Sequence, residues 1–82
     1  MSYVSERVFG FVICAIHPNG TWKLLDANMQ PTDDWRKAHV HASLTKVEEI
    51  LHRMGRKMRH PHTNKILTLK ASPLLVRLHM GD

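Results

Sequence analysis

The chain has 82 residues with a single cysteine and a formal charge of +5. At that length one domain with a modest core is expected, and the lone Cys14 excludes both an intramolecular disulfide and a Cys-rich zinc site. The charge is uneven: residues 1–49 hold five basic and six acidic side chains, whereas residues 50–81 hold seven basic ones and no acid.

The first element is the apolar run VFGFVICAI at 8–16. Its β-branched and aromatic residues predict a strand. It is too short for a membrane-spanning helix, which needs about 20 apolar residues. It has Glu6 beside Arg7 at its start and no small-residue cleavage site after it, so a soluble chain without a targeting or membrane segment is expected. Cys14 reads as a buried, inert thiol within the run. Its lack of a disulfide partner points to a reducing, cytoplasmic setting.

His-Pro-Asn-Gly at 17–20 predicts a hairpin turn, because Asn and Gly tolerate positive φ. The return strand is TWKLL at 21–25, with Trp22 and Leu24 on one face and Lys23 on the other. DANMQPTDD is loop chemistry. Residues 36–42 (RKAHVHA) read as a third strand. The alternative is a short helix capped by Thr32, with Asp33 and Asp34 in its first turn.

SLTKVEEIL opens the main helix, capped by Ser43 or by a Thr45–Glu48 capping box. Leu44, Val47, Leu51, Met54 and Met58 step by three and four residues, and Ile50 widens that stripe, so one face is buried. Gly55 marks either the C-terminal end or a frayed last turn before Pro61. Two strands are predicted to follow, 66–70 and 74–80, with Ala-Ser-Pro as a break and Pro73 at a strand start.

The resulting fold class is α+β: an antiparallel sheet of four to five strands with one main amphipathic helix, in the order β-β-(β)-α-β-β. In the first strand Phe9, Phe11, Ile13 and Ala15 alternate with Val8, Val12, Cys14 and Ile16, so both faces are apolar. One helix covers one face. Sheet curvature, a second copy of the chain or a partner must cover the other, and a homodimer is expected on that ground.

No Gly-rich phosphate loop, nucleophile elbow or HExxH zinc helix is present. The acid pairs Asp33-Asp34 and Glu48-Glu49 are sequence neighbours that cannot converge on one atom, and they read as helix-N-terminal charge. Two His-x-His pairs, His39/His41 and His60/His62, have the spacing that puts two imidazoles on one side of an extended strand, as a metal requires. His39-Val40-His41 resembles the metal-binding signature of the HUH nucleases, which nick single-stranded DNA. That resemblance covers three residues and implies a tyrosine nucleophile on a following helix. The one tyrosine here, Tyr3, precedes the first strand instead. The histidines are therefore read as edge residues of a basic patch, with no catalytic residue, metal or cofactor expected.

That patch is the stretch from Leu51 to Lys65. On a continued helix Arg53, Arg56, Lys57 and His60 form one stripe away from Leu51, Met54 and Met58, extended by Arg59, Asn64 and Lys65. Lys and Arg neutralise phosphates, and Asn64 and Thr63 suit phosphate or base-edge contacts. The five aromatic residues offer no stacking pair on one strand, and no helix-turn-helix or zinc-finger spacing occurs, so backbone electrostatics rather than base readout is expected. The expected function is non-enzymatic binding of nucleic acid or nucleoprotein. The alternative is a protein-interaction module docking on an acidic protein surface, such as a viral or mobile-element inhibitor of a host factor, by fold-level analogy. A metal-dependent nuclease ranks third.

Overall fold

The computed structural model describes residues 3–80, with side chains from 7 to 75. The elements are β1 (Tyr3–Ile16), β2 (Trp22–Leu25), β3 (Pro31–Thr32), α1 (Leu44–Arg53), β4 (Lys57–Arg59) and β5 (Ile66–Met80). Among the described residues these make one helix and a five-stranded antiparallel sheet of order β3-β2-β1-β5-β4. This is the α+β class, and among the described residues no helix is long and apolar enough to cross a membrane.

β1 and β2 are joined by the expected turn. Gly20 N–H donates to His17 O at 2.9 Å, and His17 N–H donates to Thr21 O at 2.7 Å. The Asn19 carboxamide oxygen accepts from the Thr21 amide and hydroxyl. The next loop is wound around Asp26, whose Oδ1 accepts from the amides of Asn28 and Gln30.

The helix side of the sheet holds the larger core. Ile13 and Ala15 of β1, Leu25 of β2 and Leu67 and Leu69 of β5 pack on Val47 and Leu51 of α1. Full burial of each Val, Leu or Ile side chain among these stabilises by about 1.5–3 kcal/mol. Val12, Leu24 and Ala38 form a smaller cluster on the opposite face, flanked by Cys14, Val40 and Leu74. Part of the apolar excess of β1 is therefore covered by the chain itself, through the segment that leads into α1.

That segment, 36–42, is neither of the elements predicted for it. Residues 34–37 form a turn, with Asp34 Oδ1 accepting from the Arg36 amide at 3.0 Å. Residues 38–41 are extended but make only isolated bridges, Asp26 to Ala38 and Phe11 to His41. The reason is that they cross from the end of β2 to the middle of β1, so no single strand can pair along them. The third strand is the two-residue β3, paired to Leu24 and Leu25. Asp33 therefore precedes, and Asp34 opens, a turn and not a helix. Gly10 permits the crossing: a Cβ there would collide with the Val40 side chain and lie 2.9 Å from the His41 carbonyl oxygen.

The helix departs furthest from expectation. Ser43 caps it, accepting from the Lys46 amide at 3.4 Å, and no acid occupies the first turn. Lys46 stands three residues past that cap, so no capping box forms, and Glu48 and Glu49 lie in the helix interior. The helix stops at Arg53 because the chain enters a Schellman motif. Gly55 N–H donates to His52 O at 3.2 Å and Arg56 N–H to Leu51 O at 2.9 Å, with left-handed φ of 66° at Gly55 and 58° at Arg56. This satisfies two carbonyls that the last helical turn leaves unpaired. Met58 still packs on the core, but from β4, opposite Leu67. A helical stripe and a strand face both supply an inward side chain at that position. The basic stripe placed on a continuous helix therefore does not exist.

β5 is likewise one strand and not two. Ala71, Ser72 and Pro73 continue it in register with Ile13, Val12 and Phe11. Phe11 exchanges both of its backbone hydrogen bonds with His41, at 2.8 Å each. The Phe11–Pro73 pair is thus a non-hydrogen-bonded one, which asks no donor of proline. The inward and outward faces expected for residues 76–80, including Arg77 and His79, fall outside the described side chains, as does the side chain of Tyr3.

Candidate functional site

The register of β4 on β5 decides where the cations point. Lys57 lies opposite Thr68, Met58 opposite Leu67 and Arg59 opposite Ile66. Directly paired residues share a face. Met58 and Leu67 face the helix core, so Lys57, Arg59, Ile66 and Thr68 face the other way. Lys70, opposite Cys14, continues that helix-free face.

The connecting loop is held by its own backbone and by one imidazole. His60 N–H donates to Lys65 O at 2.7 Å, and Asn64 N–H donates to His60 O at 3.0 Å. His60 Nδ1 accepts from the amides of His62 and Thr63 at 3.0 and 3.2 Å. Desolvation lowers the His60 pKa, and the neighbouring His17 and His62 push the same way. Asn64 takes a left-handed φ of 64°, and its carbonyl accepts from Arg59 Nη1 at 3.1 Å. His60 and Asn64, read as contact residues, here shape the turn that presents Arg59 and Lys65.

Arg53 and Arg56 stand apart. Both border a shallow hollow on the helix surface together with Glu48 and Glu49, and Arg56 Nη2 donates to Glu48 Oε2 at 2.6 Å. The seven residues singled out thus separate into a cationic hairpin (Lys57, Arg59, His60, Asn64, Lys65) and a mixed-sign helix end (Arg53, Arg56).

The helix-free face also contains a groove of about 1040 Å³ running between β2 and β5. Its lining includes the apolar side chains of Val12, Leu24 and Leu74, the thiol of Cys14, both tryptophans, Trp22 and Trp35, and Lys70. Trp22 is 60% exposed and Trp35 53%. Trp35 is presented by the 34–37 turn, which is braced by the Arg36–Asp34 ion pair at 3.1 Å. Hydrogen bonds from the Arg36 side chain and amide hold the Asp34 carboxyl below its ordinary range. Among the described residues the one acid on the groove, Asp33, is bound by Lys23 at 2.6 Å.

Trp22, Trp35 and Lys70 were not singled out as site residues from sequence. The alternation of TWKLL places Trp22 with Leu24, and that of ILTLK sets Lys70 apart from Leu69, so two of the three carried a usable signal. Trp35 sits in an aperiodic stretch and carried none.

The imidazoles of His39 and His41 meet edge to face with centroids 4.3 Å apart, beside a small cavity of about 210 Å³ that Asp26, Met29 and Ile50 also line. Burial, then the charges of His39 and Lys46, lowers the His41 pKa. Among the described residues no group of three or more His, Cys, Asp or Glu is placed to hold a metal ion. Comparison with protein-family models, with curated proteins and with solved structures gives no significant match.

Proposed function

We propose that the protein is a non-enzymatic binding protein whose cationic hairpin contacts the phosphates of nucleic acid. The observation that carries this reading is the β4–β5 register, which sets Lys57 and Arg59 on the helix-free face with Lys70. Each phosphate neutralised releases counterion, so affinity falls steeply with salt. The test is fluorescence anisotropy with labelled oligonucleotides across a salt series. Binding at low salt that weakens with added salt, and drops in a Lys57→Glu/Arg59→Glu variant, supports the reading. Absence of binding at low salt refutes it.

The competing reading is an acidic protein surface docked on the same cations, with a viral or mobile-element inhibitor as one example. A pull-down from nuclease-treated lysate separates the two: a stoichiometric protein partner that survives nuclease favours the second. The half-buried, unpaired Cys14 supports a reducing, cytoplasmic setting. Homodimerisation is proposed through the exposed Val8 and Phe9, which are 55% and 62% exposed. Light scattering that returns only the 9.5 kDa monomer mass at high concentration refutes it.

A further inference from the structure

We infer that the groove between β2 and β5 seats the bases of a single-stranded nucleic acid, stacked against Trp22 and Trp35, while Lys70 and the β4–β5 hairpin hold its phosphates. The inference rests on the nucleic-acid reading and names which form of nucleic acid that face takes. A duplex presents phosphates outside and keeps its bases stacked within. Resting on Lys57 and Arg59, it leaves an apolar groove of about 1040 Å³ with nothing to fill it. A single strand offers both groups at once: charged backbone for the cations and free π-faces for the two groove tryptophans.

The burial of the tryptophans points the same way. Trp is highly buried on average, yet both tryptophans of this chain stand more than half exposed on one groove. They come from elements 13 residues apart, and the Asp34–Arg36 turn holds one of them there. The volume of about 1040 Å³ lies at the upper end of ordinary small-ligand pockets, roughly 300–1000 Å³, which is room enough for a base and part of its neighbour. Charge complementarity selects the occupant. Among the described residues, Lys57, Arg59 and Lys70 of this face have no acidic partner, and the one groove-lining acid, Asp33, is paired with Lys23. A second copy laid face to face would oppose like charges, whereas a polyanion with apolar planar groups matches both halves of the surface.

The two tryptophans are also the natural reporters. Full-length protein is titrated at low salt with oligothymidylate, with a duplex of equal length and with polyglutamate, and intrinsic fluorescence and affinity are followed together. Saturable quenching by the single strand is expected, with affinity roughly tenfold or more above the duplex. Trp22→Leu and Trp35→Leu each weaken single-strand binding by roughly tenfold and leave duplex binding unchanged. Both side chains are largely solvent-exposed, and circular dichroism verifies that the variants fold. Equal affinity for the two forms, or binding without quenching, overturns this inference and leaves phosphate contact intact. Quenching by polyglutamate at comparable affinity also overturns it, in favour of an acidic peptide. Binding to neither nucleic acid overturns both readings.

Discussion

Arg56 reaches back across the end of α1 to Glu48, Nη2 to Oε2 at 2.6 Å, from a backbone with φ of 58°. The helix end therefore neutralises one of its own cations, and among the described residues no acid pairs with those of the hairpin beyond it. Exposed pairs of this kind contribute about 0–1 kcal/mol, so the consequence lies in binding more than in stability.

Arg56→Asn drops the charge and keeps a residue that tolerates the left-handed backbone. It is expected to leave the salt dependence of oligonucleotide binding nearly unchanged. Lys57→Gln and Arg59→Gln are each expected to reduce the slope of log affinity against log salt by about one. Anisotropy titrations at four or five salt concentrations make the comparison. An Arg56 effect as large as that of Arg59 would return the site to the helix end.

Two glycines separate steric from conformational cost. Gly55→Ala meets no atom within 4 Å but must hold φ near 66°, at a cost of about 1 kcal/mol. Gly10→Ala drives a methyl into Val40 and the His41 carbonyl, where overpacking costs about 2–3 kcal/mol. Urea denaturation is expected to rank Gly10→Ala well below Gly55→Ala, with unchanged slope in denaturant.

Acid is expected to destabilise the fold between pH 7 and 5. The His41 pKa in the folded protein is lowered, first by burial and then by His39 and Lys46. The unfolded chain, with its histidines near 6.5, takes up the proton first as pH falls. Stability is then complete above that value and is lost below it, until the folded-state pKa is reached. His60 shifts in the same direction, and protonation at Nδ1 removes the acceptor for His62 and Thr63. Melting temperature is expected to be lower at pH 5 than at pH 7.5, and His41→Gln should flatten the difference. The lowered Asp34 pKa acts only below the ordinary carboxylate range, outside this window.

Cys14 is expected to react slowly with a disulfide reagent at pH 8. Burial raises its pKa, outweighing the opposing hydrogen bond from Ser72, and thiolate is the reactive form. Unfolding in urea should accelerate the reaction by roughly tenfold, and occupancy of the groove it lines should slow it further. Equal rates in the folded and unfolded chains would contradict the half-buried placement.

Local signals in the sequence sufficed where one interaction range decided the outcome. The strand at 8–16, the 17–20 turn, the Ser43 cap and the alternation of Trp22 with Leu24 all follow from neighbouring residues, and each is present. The candidate cations were also legible as a run without acids. Their placement was not, because Met58 satisfies a helical stripe and a strand face equally well, and Leu67 lies nine residues away.

The sequence by itself determined the α+β class, the amphipathic helix and the concentration of positive charge after residue 50, since propensity, periodicity and composition act locally. Tertiary structure alone decided that the helix ends in a left-handed pair at Gly55 and Arg56. It also decided that β5 runs unbroken through Pro73 beside a Phe11 already bonded to His41, and that Trp22, Trp35 and Lys70 share one groove. Each of these depends on backbone hydrogen bonds and contacts between segments distant along the chain, which become favourable only when the sheet closes and both partners are held in register.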